Sequence, residues 1–341
     1  MKPLLPANRL TLFLMAIGAL GIAVISLSLG RYPISLHDIG LLIVQKLVSP
    51  DNPEVSHPSI VLFQVRFPRI AAALLIGGAL SMAGTTYQGL FKNPMVSPDI
   101  LGASAGAGFG ASLAILLSWN MAGIQTAAFL FGLLAVMVTY GISAAINRGN
   151  QAILILVLTG VIVSTLFSSL VSIIKFVADP YNKLPAITFW LMGGLANINT
   201  KDVLLLLIPL SLGSAPLLLM RWKLNALSFG DEEARTLGLN VNRIRPVVIL
   251  CSTLLTAASV SVSGMIGFVG LVIPHMTRLL VGPNHSALLP ASLFLGGAFL
   301  VIVDNVARGV FPVEVPLGIL TSLVGAPFFL YLLMKGRKSW L

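Results

Sequence analysis

Most of the chemistry that staples small domains or turns over substrates is missing from this chain. One cysteine, Cys251, occurs in 341 residues. It lies within an apolar segment, which excludes a disulfide framework and a thiolate metal site and makes it a small buried hydrophobe. The four histidines, His37, His57, His275 and His285, are scattered, and none forms the His-Glu-x-x-His pair of a metal hydrolase. His275, beside Pro274, reads as a packing residue. No Gly-x-x-x-x-Gly-Lys-Ser/Thr run occurs, so the chain has no P-loop to hold ATP phosphates. A basic arm interleaved with aromatics is also absent, and with it the case for nucleic acid. Charge itself is scarce: 9% of residues, against about 25% in ordinary soluble domains.

What remains is apolar. Hydrophobic residues make up 57% of the chain, in runs too long and too little alternating for a β-barrel. A bilayer core of about 30 Å needs about 20 helical residues, and ten candidate spans meet or approach that measure. They are 10–30, 68–90, 100–118, 122–145, 152–176, 202–220, 246–264, 266–282, 287–306 and 316–334. The expectation is an all-α polytopic membrane protein forming one transmembrane domain over residues 1–341. The first run is longer than a secretory signal's apolar core and reads as an anchor. An even count puts both termini on one side. Placing them in the cytoplasm puts 13 basic and 4 acidic residues inside and 8 basic and 7 acidic residues outside, as the positive-inside bias requires. Lys2, Arg148, Arg337 and Lys338 contribute to the inner set. Tyr32, Trp119, Trp222 and Trp340 fall at span ends, where an interfacial belt belongs.

The one concentrated exception to the apolar pattern is Arg221–Arg245, which holds 8 of the 32 charged residues. Asp231, Glu232 and Glu233 favour a helix start and Gly238 a left-handed stop, so a two-turn helix is expected over 231–237. Asn240 and Asn242 can cap a second short piece before Pro246 opens the next apolar run. The loop reads either as a solvated connector or as a docking knob for a soluble partner.

Other features divide in the same way. Arg66 and Arg69 flank Pro68 at the entry of the second span, as snorkelling side chains or as a surface site. Ser35–Val48 has the spacing of a helix lying on the membrane surface. Gly102–Ala111 is dense in small residues, which allow close helix packing. Ser164, Ser168 and Ser172, with Thr165 and Ser169 beside them, form a hydroxyl stripe on the fifth span, and Ser252, Thr256, Ser259 and Ser263 form another on the seventh. Each stripe is either helix–helix glue or the lining of a wet path. Asp179–Lys201 predicts short bent helices. Lys175, Arg278, Asp304 and Arg308 lie near span ends, and the missing midplane charge weakens an ion-coupled secondary transporter. A membrane-embedded enzyme lacks a convergent polar constellation.

The last third carries Gly264-Met-Ile-Gly267-Phe-Val-Gly270, Pro274-His275-Met-Thr-Arg278, Asp304-Asn-Val-Ala-Arg308, Glu314-Val-Pro316-Leu-Gly318 and Gly325-Ala-Pro327-Phe328. With Arg66-x-Pro-Arg69, Gln88–Gly102 and Gly230–Gly238, these resemble the FecCD-type permease subunits of iron-siderophore, haem and vitamin B12 ABC importers over nearly the whole chain. Phe67 and Val315 stand where leucine is common in that family, and Met95 follows Asn93-Pro94. The resemblance implies ten transmembrane helices, a homodimer, and a path between the fifth and tenth helices that Ser164, Thr165, Ser168, Ser169 and Ser172 would line. It implies coupling to two ATP-binding cassette subunits through Asp231, Glu232, Glu233, Ala234, Arg235, Leu237 and Gly238. It also implies docking of an extracytoplasmic substrate-binding protein at Arg66, Arg69 and Arg308, as exposed arginines that meet carboxylates. No cofactor is expected on this chain, since ATP and magnesium would sit on the partner. The expected setting is a bacterial or archaeal cytoplasmic membrane. The expected cargo is a metal chelate, with molybdate or tungstate as the alternative.

Overall fold

The computed structural model describes residues 9–48, 56–146, 152–310 and 312–336. Lys2, Arg148, Arg337, Lys338 and Trp340 lie outside the described residues. In chain order the helices are α1 (Arg9–Ser28), α2 (Leu36–Val48), α3 (His57–Ile60), α4 (Phe67–Leu90), α5 (Ala103–Leu116), α6 (Met121–Ile146), α7 (Ala152–Val177) and α8 (Lys183–Met192). They continue with α9 (Thr200–Leu219), α10 (Arg221–Phe229), α11 (Asp231–Thr236), α12 (Val241–Ser263), α13 (Val269–Val281), α14 (His285–Gly309) and α15 (Leu317–Gly336). Among the described residues there is no strand. Each of the ten expected spans falls on a helix.

Among the described residues seven helical stretches are long and apolar enough to cross a membrane: α1, His57–Leu90, α6, α7, α9, α12 and α14. The other three, in α5, α13 and α15, are shorter. At about 1.5 Å per residue the 14 residues of α5 reach about 21 Å, which is part of a bilayer core. Each short helix follows a break: a 3-10 turn at Pro98–Leu101 before α5, the Gly264–Phe268 segment before α13, and Pro316 before α15.

The second span begins earlier than Pro68. From His57 the helix runs on through a π turn at Val61–Arg66, where the Phe67 N–H bonds to the Leu62 carbonyl five residues back. The wide turn lets the chain pass Pro68, which has no N–H to offer and crowds the preceding turn. Pro246 differs from expectation in the opposite sense. Asn240 caps α12 directly, its side chain accepting from the Arg243 N–H at 3.2 Å, and the helix continues through Pro246. The expected second short piece is therefore the first turn of α12.

At the centre α4 and α14 lie antiparallel with their backbones in contact. A methyl on Gly77 would overlap the Gly296 carbonyl, and one on Gly296 would overlap the Gly77 carbonyl. Likewise, a methyl on Gly78 would come within 2.9 Å of the Leu293 carbonyl, and one on Gly297 within 2.8 Å of the Leu74 carbonyl. Small residues allow this approach, and buried hydroxyls fasten it, with Thr85 bonding Ser292 at 2.8 Å. The Gly102–Ala111 segment packs in the same way, with Gly106 and Gly110 against the α6 carbonyls of Phe131 and Ala127. The 25 residues of α14 reach about 37 Å, so this pair connects the two ends of the molecule.

Candidate functional site

At one end the short helix expected over 231–237 is present as α11, Asp231–Thr236, a small knob on the surface. Gly230 and Gly238 bracket α11 with φ of +147° and +79°, a region that L side chains rarely enter. The stop has Schellman geometry, with the Leu239 N–H bonding the Ala234 carbonyl at 3.1 Å. Arg245 of α12 grips both carboxylate oxygens of Asp231 at 2.6 Å, which ties the start of α11 to a long helix. Ala234 is fully buried beneath α11, whereas Glu232, Glu233, Arg235, Leu237 and Gly238 are exposed. The knob is thus fixed on its inner face and open on its outer one. Sequence reasoning missed α10, which precedes it and presents Phe229 to solvent beside the acidic turn.

The knob is also linked to α14. Asn225 of α10 accepts the His285 N–H at 2.7 Å, lies 3.1 Å from His285 Nδ1 and donates to Asn284 at 2.8 Å. These contacts hold α10 to the first turn of α14. Beside them, Arg278 donates to Gln88 at 3.2 Å, joining α13 to the end of α4. The nearby Pro98–Leu101 turn holds Asp99. Burial pushes its carboxyl above the usual range, while hydroxyls of Ser104 and Ser97 pull it back.

The arginines lie at the other end of the α4–α14 pair, and the structure corrects one expectation about them. Arg66, Arg69 and Arg308 are not exposed: their relative exposures are 3, 6 and 8%. Nor do they snorkel, because each ends on groups of this chain. Arg66 donates to the Leu27 carbonyl at 2.5 Å and to the Tyr32 carbonyl, and Arg308 donates to the Ser26 carbonyl at 2.8 Å and to Ser26 Oγ at 2.7 Å. Both therefore satisfy carbonyls at the end of α1 that the helix leaves unpaired. Gly30, with φ of +143°, leaves Arg66 room, since a methyl there would come within 2.8 Å of Nη2.

Arg69 meets two carboxylates. Asp304 accepts from Arg69 Nε at 2.8 Å and from Nη2 at 2.6 Å, and lies 3.4 Å from Arg308 Nε. Glu314 takes the remaining side of Arg69 Nη2. Asp304 is sealed, with a side chain 1% exposed, while Glu314 is 35% exposed. In the sequence Glu314 stands out only as a motif residue, and Asp304 as a motif residue and a charge near a span end. Their pairing joins positions 235 and 245 residues apart, which periodicity does not reveal.

The two hydroxyl stripes part company. Ser252, Thr256, Ser259 and Ser263 of α12 are buried, and Thr256, Ser259 and Ser263 bond carbonyls one turn back, so this stripe is internal packing. On α7, Thr165, Ser168, Ser169 and Ser172 are exposed. Ser164 is half-buried, and its Oγ faces Gly102. The hydroxyls of Ser164, Thr165, Ser169 and Ser172 also donate to carbonyls of their own helix, at 2.7–3.0 Å. They present lone pairs outward. Near the start of α15 a cavity of about 480 Å³ is lined by Leu191, Met192, Met265, Gly267, Gly318 and Ser322 among others, with no charged side chain.

The chain is similar to known proteins over nearly its whole length. The FecCD transport family matches residues 17–335. The molybdate import permease MolB of Haemophilus influenzae is 42% identical over 317 residues, covering 93% of each chain. An iron chelatin transport system permease of Helicobacter pylori is 43% identical over 288 residues, covering 84% of this chain and 86% of that one. A solved ABC transporter of metal-chelate type, in an inward-facing conformation, superposes with a TM-score of 0.85 at 39% identity, covering 96% of this chain and all of the other.

Proposed function

The chain belongs to the FecCD transport family and is the multi-pass membrane permease of an ABC importer that works with ATPase and binding-protein partners; on that premise we propose how its two ends and its exposed α7 face divide the work. α11 is the coupling element. Asp231, Glu232, Glu233, Arg235, Leu237 and Gly238 form the surface on which an ATP-binding cassette subunit seats, while Ala234, expected among them, is buried and anchors α11 from beneath; ATP and magnesium are held by that subunit, with no cofactor on this chain. The observation that carries this reading is the exposed α11, pinned to α12 by Arg245–Asp231 and linked through Asn225 to α14. A push on the knob enters a helix pair that has no slack between its backbones, and reaches the arginine end about 30 Å away.

The arginine end, with Arg66, Arg69 and Arg308, receives the substrate-binding protein on the extracytoplasmic side, and both termini lie in the cytoplasm. Two copies pair so that Thr165, Ser168, Ser169 and Ser172 of each, with Ser164 at the edge, face a shared path. Movement is by alternating access: ATP closes the cassettes, α11 is driven and the helices tilt, and release of the binding protein opens the path inward.

The cargo is a metal chelate such as an iron-siderophore, haem or corrinoid. The uncharged cavity and the donor-spent α7 face support this reading, since a compact oxyanion is held by N–H and O–H donors. A second reading, molybdate or tungstate, is favoured by the 42% identity to MolB over nearly the whole of both chains. The experiment is an ATPase assay on the reconstituted complex, with the binding protein loaded in turn with ferric siderophore, haem, cobalamin or molybdate. Stimulation by a chelate supports the first reading, and stimulation by molybdate alone replaces it with the second.

A further inference from the structure

The two carboxylates on Arg69 are not equivalent. Asp304 lies inside the helix pair, touches both Arg69 and Arg308, and is 1% exposed. No incoming group reaches it without unpacking α4 from α14. Glu314 sits on the connection from α14 to α15, bonds only one nitrogen of Arg69, and is 35% exposed. Arg66 is held by the Leu27 and Tyr32 carbonyls, and Arg308 by Ser26, Asn305 and the sealed Asp304, so neither carries a partly exposed carboxylate that an incoming one could displace. Arg69 is therefore the point at which a carboxylate from outside can enter, and Glu314 is the group it must replace.

We infer that Glu314 is a placeholder for an acidic side chain of the docking partner, and that docking exchanges one carboxylate for the other on Arg69 and frees the segment that starts α15. This rests on the reading of the arginine end as the docking site. Three residues beyond Glu314, the Leu317 N–H bonds the Gly193 carbonyl at 2.9 Å, and Gly318 packs against the Met192 and Met265 carbonyls at the mouth of the cavity. On the other side, Arg31 holds the Pro312 carbonyl at 2.7 Å. Release of Glu314 thus loosens a short strap between two fixed points, one of them the rim of the cavity, and leaves inside it the long 3.4 Å bond from the Val315 N–H to the Ala307 carbonyl. A guanidinium suits such an exchange, because its planar fork accepts one carboxylate in the geometry of another. With Glu314 away, Asp304 is the one carboxylate among the described residues that still pairs with these arginines, which favours an acidic partner and disfavours a basic one.

The test measures affinity of the permease–ATPase complex in lipid discs for its binding protein, at low salt. Glu314→Gln keeps the size of the side chain and removes its charge, and binding should tighten about fivefold, which corresponds to about 1 kcal/mol for a half-exposed pair. Arg69→Lys keeps the counter-charge of Asp304 but loses the fork, and binding should weaken. Unchanged or weaker binding by Glu314→Gln, with Arg69→Lys still weakening it, overturns the exchange and leaves the docking reading standing. Indifference of both variants removes both. As a second readout, spin labels at Val313→Cys and Tyr181→Cys, both highly exposed positions, should change separation when the binding protein docks. A constant separation also overturns the exchange.

Discussion

Replacing Asp304 by asparagine preserves shape and removes the buried negative charge between Arg69 and Arg308. The consequence follows from burial. Asp304 is 1% exposed and both arginines are about nine-tenths buried, so after the change two guanidinium groups face each other with little water to screen them. Breaking a buried pair in this way costs about 3–5 kcal/mol. Glu314→Gln removes a charge from the same arginine, but at 35% exposure its pair behaves more like a surface bridge, worth about 0–1 kcal/mol. Both substitutions take one carboxylate charge from Arg69, and Asp304→Asn also strips the counter-charge from Arg308, so burial and the second arginine act in the same direction. Equilibrium unfolding of the purified permease in mixed micelles should show Asp304→Asn several-fold more destabilised than Glu314→Gln. Equal losses would refute the reasoning that Asp304 is the structural partner and Glu314 the dispensable one.

Glu232→Arg combined with Arg235→Glu should lower both binding-protein-stimulated ATPase and transport while membrane insertion stays normal; unchanged transport removes α11 from the coupling role. Gly84→Ala should reduce the yield of folded protein, since a methyl there overlaps the Gly270 backbone, whereas Gly18→Ala, which meets nothing within 4 Å, should not; equal yields contradict the backbone contact between α4 and α13. Ser169→Trp, on the exposed α7 face, should block uptake with insertion and cassette binding intact, and normal uptake would place the path elsewhere.

The helices are legible in the sequence because their signal is local. Every expected span lies on a helix, the surface helix foreseen over 35–48 is α2, and the knob at 231–237 ends one residue short of its expected stop. What stays hidden depends on distant partners. Nothing near Arg66 or Arg308 in the chain indicates that both side chains turn inward to carbonyls of α1, so exposure is the natural reading of arginines at a span entry. Asn225 looks like one polar residue in a solvated loop because His285 and Asn284, which it joins, come 60 and 59 residues later. The hydroxyl stripes of α7 and α12 both follow a helical period and have opposite fates, since periodicity places residues on one face but does not say what that face meets. Pro68 and Pro246 both read as starts of apolar helices. Each lies inside a longer one, the first accommodated by a π turn and the second by a capped first turn.

The central claim is that this chain moves cargo inward only as the membrane half of an ATP-driven complex. The direct measurement is uptake into proteoliposomes containing the permease and its cassette subunits, with the loaded binding protein outside and ATP inside, against the same liposomes with a proton or sodium gradient and no ATP. Uptake should require ATP and the binding protein together and be lost with the Glu232→Arg and Arg235→Glu pair. Uptake by the permease alone, driven by the ion gradient, would contradict the claim.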